Sequence, residues 1–192
     1  MIGVGALHIV DAQREVRTVY LGGFVGQIVS SLIWFASATI ATAVDPKTGF
    51  WALAIGGMAI FPLTQGLLRL GGRPGSVSRE NPLGQLGAQV AFTIPLVLPL
   101  AGIAAIVHPG WFYPACLVIV GAHYLPFIFL YGMKTFAVLA GALVAAGFAL
   151  GILAPGAVIS GGWVGGGLLF GFAFVLLAAF QCGEKGMVSH PV

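Results

Sequence analysis

Few residues in this chain could do chemistry, and the densest group of them is Gly121-Ala122-His123-Tyr124-Leu125-Pro126-Phe127, followed by Tyr131-Gly132. His123 has an unperturbed pKa of about 6.5 and falls in the middle of a long apolar run. An ionisable group there is costly and marks a path for a proton, an ion or a ligand. Pro126 has no N–H to give the Ala122 carbonyl, so the spacing predicts a helix kink beside His123 and a carbonyl without its helical partner. Tyr124 and Tyr131 lie seven residues apart and share a face adjacent to that of His123. The plain structural alternative is a neutral histidine hydrogen-bonded to a neighbouring helix.

Other polar groups recur inside apolar runs: Gln27, Ser30 and Ser31; Thr64 and Gln65; and Gln85, Gln89 and Thr93 at four-residue intervals. The topology derived below puts all these glutamines in the inner halves of their runs. Gln27, Gln65 and Gln89 are therefore expected to join His123, Tyr124 and Tyr131 along a solute path, in a polar vestibule open to the cytoplasm. Amides that merely bridge helices, worth about 0.6 kcal/mol each, are the competing account. Pro95 and Pro99 are expected to kink their helix and free carbonyls within the bundle.

Machinery for catalysis is missing from the sequence. No Asp or Glu lies in an apolar run, there is no His-Glu metalloprotease motif or paired-cysteine motif, and the Gly-rich stretches do not follow strands. His108, at the outer edge, cannot stand level with His123 to ligate a haem. No catalytic residue, cofactor or metal site is assigned, and an enzyme is disfavoured. His8, Asp11 and Glu15 share a polar face better read as solvated than as metal-binding.

The elements that must position these residues are six apolar runs, at about 20–43, 50–70, 86–107, 112–133, 135–153 and 158–181. With 59% hydrophobic residues, 7% charged residues and a mean hydropathy of +1.05, the chain cannot assemble a water-soluble surface. Continuous runs predict helices rather than the alternating strands of a membrane barrel. The fold class is thus an all-α polytopic bundle in the lipid bilayer, a single domain over 1–192. Seven of the eight Lys and Arg fall on one side (Arg14, Arg17, Arg69, Arg73, Arg79, Lys134 and Lys185), with Lys47 alone on the other. The positive-inside rule then gives three outward-facing hairpins with both termini cytoplasmic. The net charge of +3 is a topology signal and gives no reason to expect nucleic acid. Residues 1–19 are too interrupted by charge for a cleaved signal peptide and predict a surface helix, with Ile9, Gln13, Val16 and Tyr20 on its apolar face. Residues 182–192 form a cytoplasmic tail. Cys116 and Cys182 fall at opposite ends of their runs, too far apart for a disulfide.

The outer connectors resemble one another: Asp45 to Trp51, His108 to Trp111, and Pro155-Gly156 to Gly162-Trp163 each begin near a proline and end on Gly and an aromatic anchor. Independent selection of tight turns and headgroup anchors explains the likeness as well as an internal repeat does. Gly161 with Gly165 and Gly162 with Gly166 make overlapping small-residue pairs in the sixth run, and Gly141 with Ala145 and Gly147 with Gly151 offer the same in the fifth. These predict a tight hairpin between the last two helices, or use of that surface in a homo-oligomer or larger membrane complex.

The stretch from Gly121 to Phe127, with Leu130-Tyr131-Gly132-Met133, resembles one of the uncharacterised bacterial families of small six-helix inner-membrane proteins. The resemblance implies a prokaryotic plasma membrane and brings neither an activity nor functional residues. Two functions stand side by side: a transporter or channel for a small neutral or weakly ionisable solute with its site near His123, and a non-catalytic packing or accessory module acting through the Gly-rich fifth and sixth helices.

Overall fold

The structure, a computed structural model, describes residues 8–188, with side chains to Gly183. The termini and the Lys185 side chain counted above lie outside the described residues. Eight α-helices follow in order: α1 (Ile9–Val19), α2 (Phe24–Ala43), α3 (Pro46–Leu70), α4 (Pro82–Val107), α5 (Phe112–His123), α6 (Leu125–Tyr131), α7 (Thr135–Leu153) and α8 (Ser160–Val188). They supply six stretches long and apolar enough to cross a bilayer, the make-up of a multi-pass membrane protein, with α5 and α6 together forming one of them.

Helix starts are set by capping chemistry. Asp45 accepts from the Thr48 N–H at 2.9 Å and Asn81 accepts from the Leu83 N–H at 2.9 Å, each followed by a proline at the first helical position. For this reason α3 and α4 begin four residues before the apolar runs do, taking polar residues into their first turns. The fourth run is broken: α5 ends at His123, Tyr124 is a turn, and α6 starts with Pro126 in its first turn. By contrast α4 passes Pro95 and Pro99, and α3 passes Pro62, as unbroken helices.

Packing divides the helices unevenly. α2 packs along α3 and α8, and α5 packs along α7 and α4, whereas α3 and α4 scarcely touch. The glycine faces explain these choices. A Cβ at Gly161 would strike Tyr113 of α5, one at Gly162 would meet Ala38 of α2 and the Tyr113 ring, and those at Gly165 and Gly166 would enter the rings of Trp34 and Phe35. The small-residue stripe of α8 therefore receives aromatic side chains from α2 and α5. α7 and α8 do pack on each other as expected, but not through these glycines, since α7 sends Gly147 against Pro114 and Val118 of α5.

At the end of the bundle away from α1, the buried Ser37 hydroxyl donates to the Gly49 carbonyl at 2.7 Å. With its only proton so used, it accepts from the Tyr113 hydroxyl at 2.7 Å, which ties α2, α3 and α5 together. The Trp111 indole donates to the Gly151 carbonyl at 3.2 Å, and Gly110 lies against the Pro155 backbone, joining two connectors.

α1 does not lie free on a surface. It buries Ala12, Val16 and Val19 and crosses the other end of the bundle against α4 and α6. Leu21, Gly22 and Gly23, at φ of 51°, 64° and 95°, reverse the chain into α2. Gly22 is pressed on Phe180 and Gly23 on Phe136, so neither has room for a side chain.

Candidate functional site

Because α3 and α4 stand apart, a cavity of about 490 Å³ opens between them, backed by α2, α5 and α6. Most of its lining is apolar, including Leu53, Ile60, Leu98 and Val120. Met58 of α3 and Phe92 of α4 line it while 61% and 70% exposed, so the cavity opens sideways between these two helices. Gly57 and Gly87, one on each wall, have nothing within 4 Å of where a Cβ would stand. In a chain whose solvent is lipid, this mouth faces the bilayer.

Four of the six residues expected on a solute path, Gln27, His123, Tyr124 and Tyr131, do line this cavity. Gln65 and Gln89 do not. Gln89 is exposed on the outside of α4, and half-buried Gln65 stands behind Tyr20, whose ring does line it. Among the expected kink prolines Pro95 lines the cavity, while Pro99 and Pro126 do not. The packing glycines Gly161, Gly162, Gly165 and Gly166 lie elsewhere, on α2 and α5. The polar vestibule open at the α1 end is corrected: the cavity is largely apolar, and α1 with the α3–α4 connector covers that end.

An aromatic wall forms where the broken helix bends. His123 lies 5.2 Å from the Phe127 ring and 5.7 Å from that of Tyr124, Phe127 stacks on Tyr131 at 5.7 Å, and Tyr131 meets Phe136 at 4.8 Å. Tyr124, Phe127 and Tyr131 recur at three- and four-residue spacing, so they keep one face across the break. Half-buried His123 is oriented by α4. The Thr93 hydroxyl donates to the Val90 carbonyl at 2.7 Å and lies 3.2 Å from His123 Nδ1. With the hydroxyl proton so used, the contact requires a proton on Nδ1 and leaves Nε2 as an acceptor in the neutral ring.

The polar focus of the cavity is Gln27, only 3% exposed. Its side chain and that of buried Ser30 approach Tyr124. Among the described residues, the Gln27 Oε1 is sealed from solvent and has no hydrogen-bond partner. A buried acceptor left empty costs about 1 to 3 kcal/mol, which is unusual in a settled core and intelligible in a site that receives a donor.

A polar clasp holds α1 over the cavity. The Glu15 carboxylate accepts from the Ser78 N–H at 2.5 Å, the Asn81 amide at 2.8 Å and the Ser78 hydroxyl at 3.1 Å. Partial burial pushes the Glu15 carboxyl up, but these donors together outweigh it and hold the group below its ordinary value. The Asn81 amide also donates to the Ala12 carbonyl at 3.0 Å. Gln13 donates to the Phe129 carbonyl and Arg17 to that of Tyr131, both at 2.6 Å, while Arg73 donates to that of Thr18 at 2.7 Å. Sequence reasoning missed Asn81, Cys116, Phe127 and Phe136 as parts of the site. Only Phe127 carried a signal, its spacing from Tyr124 and Tyr131.

Comparison with curated proteins and with solved structures gives no match. A family model, described as a family of unknown function, DUF7010, matches residues 9–179, from the start of α1 to near the end of α8. It thus takes in every cavity-lining residue and the whole clasp. The chain belongs to the family of unknown function DUF7010.

Proposed function

We propose that this protein binds, and carries within or across the membrane, a small neutral amphiphile: a mainly apolar molecule bearing one O–H or N–H donor. The observation that carries the reading is the unpaired Gln27 Oε1 in an otherwise apolar cavity with a lateral mouth. An apolar body matches the walls, a donor matches the vacant acceptor, and the His123 Nε2 offers a second acceptor nearby. Entry from the bilayer suits such a molecule better than entry from water. The reading places α1 and both termini on the cytoplasmic side of a prokaryotic plasma membrane. In support, Arg14, Arg17 and Lys134 converge on one groove, and Arg73 is bound to α1 beside them. An accessory role through Gly161, Gly162, Gly165 and Gly166 has less support, since these glycines are filled from within the chain.

A matched pair of probes tests this. A short 4-alkylphenol should raise the melting temperature of the purified protein, and its methyl ether, equal in shape but without the donor, should bind roughly tenfold more weakly. Gln27→Leu should erase the difference while leaving the protein folded. Equal stabilisation by phenol and ether in the wild-type protein would overturn the proposal.

A further inference from the structure

We infer that the protein pairs with a second copy of itself along α4, held by Gln89 about a two-fold axis normal to the membrane, whatever the cavity binds. α4 meets the bundle on one side only. Val90 and Ala101 are buried there and Gly87, Ala91 and Leu98 line the cavity, while Gln85, Gln89, Phe92, Leu96, Ile103 and Ile106 all lie exposed on the remaining side. These last recur at steps of three, four and seven residues, the spacing of a seam that a second helix can follow. Its apolar members need no partner, because lipid tails suit them as well as protein does.

Gln89 is different. Its amide has two N–H groups and a carbonyl, and among the described residues it makes no hydrogen bond with any of them. α4 has 26 residues and so runs about 39 Å, against a hydrocarbon core of about 30 Å. With the helix centred, Gln89 lies about 6 Å inside that core, where no water meets it. One turn further along α4, Thr93 already contacts His123 in the interior of the span formed by α5 and α6. Amides placed in this way associate helices in lipid, and depth identifies the occupant. A second copy inserted in the same orientation holds its own Gln89 at the same level, and a two-fold axis along the membrane normal sets the two amides face to face, each donating an N–H to the other's carbonyl. Any other partner would need a matching amide at that depth. Gln85, one turn nearer the helix start, meets its own copy in the same way and fixes the register of the pair.

Disulfide trapping in native membranes tests the pairing, in the full chain with Cys182→Ser as background and the buried Cys116 left in place. Leu96→Cys, on the seam and clear of the cavity, should give a covalent dimer under mild oxidation, whereas Val138→Cys, also exposed but on α7, should not. Adding Gln89→Leu should lower the Leu96→Cys yield. In liposomes, subunit counting on the protein without the added cysteine should show Gln89→Leu weakening the dimer about tenfold, the scale of an interhelical amide contact. Because Gln89 is exposed in a single copy, Gln89→Leu should leave the melting temperature of the detergent-solubilised monomer unchanged, which guards against misfolding. Equal trapping through Leu96→Cys and Val138→Cys would overturn the inference. A dimer whose strength is indifferent to Gln89→Leu would overturn it too, since the amide would then be satisfied by headgroups and not by its copy.

Discussion

Glu15 is the charged group whose environment constrains the protein most. Its carboxyl is held below its ordinary value in the folded state, so the bonds to Ser78 and Asn81 contribute stability that is fully present above the ordinary glutamate pKa of about 4.3. That contribution is lost as the pH falls through the lower folded value. Protection of the α1 amides against exchange, taken relative to the intrinsic rate at each pH, should therefore be high at pH 6 and fall as the pH drops below about 4. Glu15→Gln should exchange faster at pH 6 and lose most of the acid dependence, and identical pH profiles for the two proteins would show that the clasp does not hold α1. The sequence placed Glu15 on a solvated face because nothing local reveals a partner 66 residues away in Asn81. Gln27 and His123 were legible for the opposite reason, since a polar side chain deep in an apolar run stands out without knowledge of its neighbours. Gln89 stood out equally and points outward, because one helix's periodicity does not say which face its neighbours will cover.

Among the elements, α8 shows how much a glycine stripe reveals. Its spacing indicated close approach and sequence proximity suggested α7 as partner, whereas the rings of Trp34, Phe35 and Tyr113 fill the stripe. A small-residue face accepts a bulky partner as readily as another small one, and the sequence does not state which. Gly165→Leu should force Trp34 aside and lower the melting temperature markedly, at an overpacking cost of about 1 to 3 kcal/mol. Gly167→Leu, where a Cβ meets nothing within 4 Å, should be almost neutral. Equal melting of the two variants would contradict this packing. Prolines inside helices are confined in a related way: Pro62 lies in α3, Pro95 and Pro99 in α4 and Pro126 in α6, while α2, α7 and α8 have none inside.

For the whole molecule the testable claim is orientation. In intact cells an impermeant maleimide should label Lys47→Cys, whereas Arg79→Cys should react only after the membrane is opened; Cys182→Ser provides the background for both. The reverse pattern would turn the protein over in the membrane. The number and approximate length of the spans were legible because hydropathy alone determines them. The lateral cavity was not, because it arises from two helices that fail to meet, and a missing contact leaves no trace in either helix's own pattern.

The poor contact between α3 and α4 also has a mechanical side. α2 packs chiefly on α3 and α8, and α5 on α4 and α7, with α8 bridging the two groups through α5 and α7 and the cavity along the seam where α3 and α4 part. The chain crosses that seam at residues 71–81, where Gly72 and Gly75 adopt left-handed conformations, and again at 154–159. α1 spans it too, continuous with α2 but fastened to the other group through Gln13, Glu15 and Arg17. Widening of the gap between α3 and α4 would thus be hinged at the Ser37–Tyr113 end, where α2, α3 and α5 are tied, and restrained at the other end by the polar bonds of this strap.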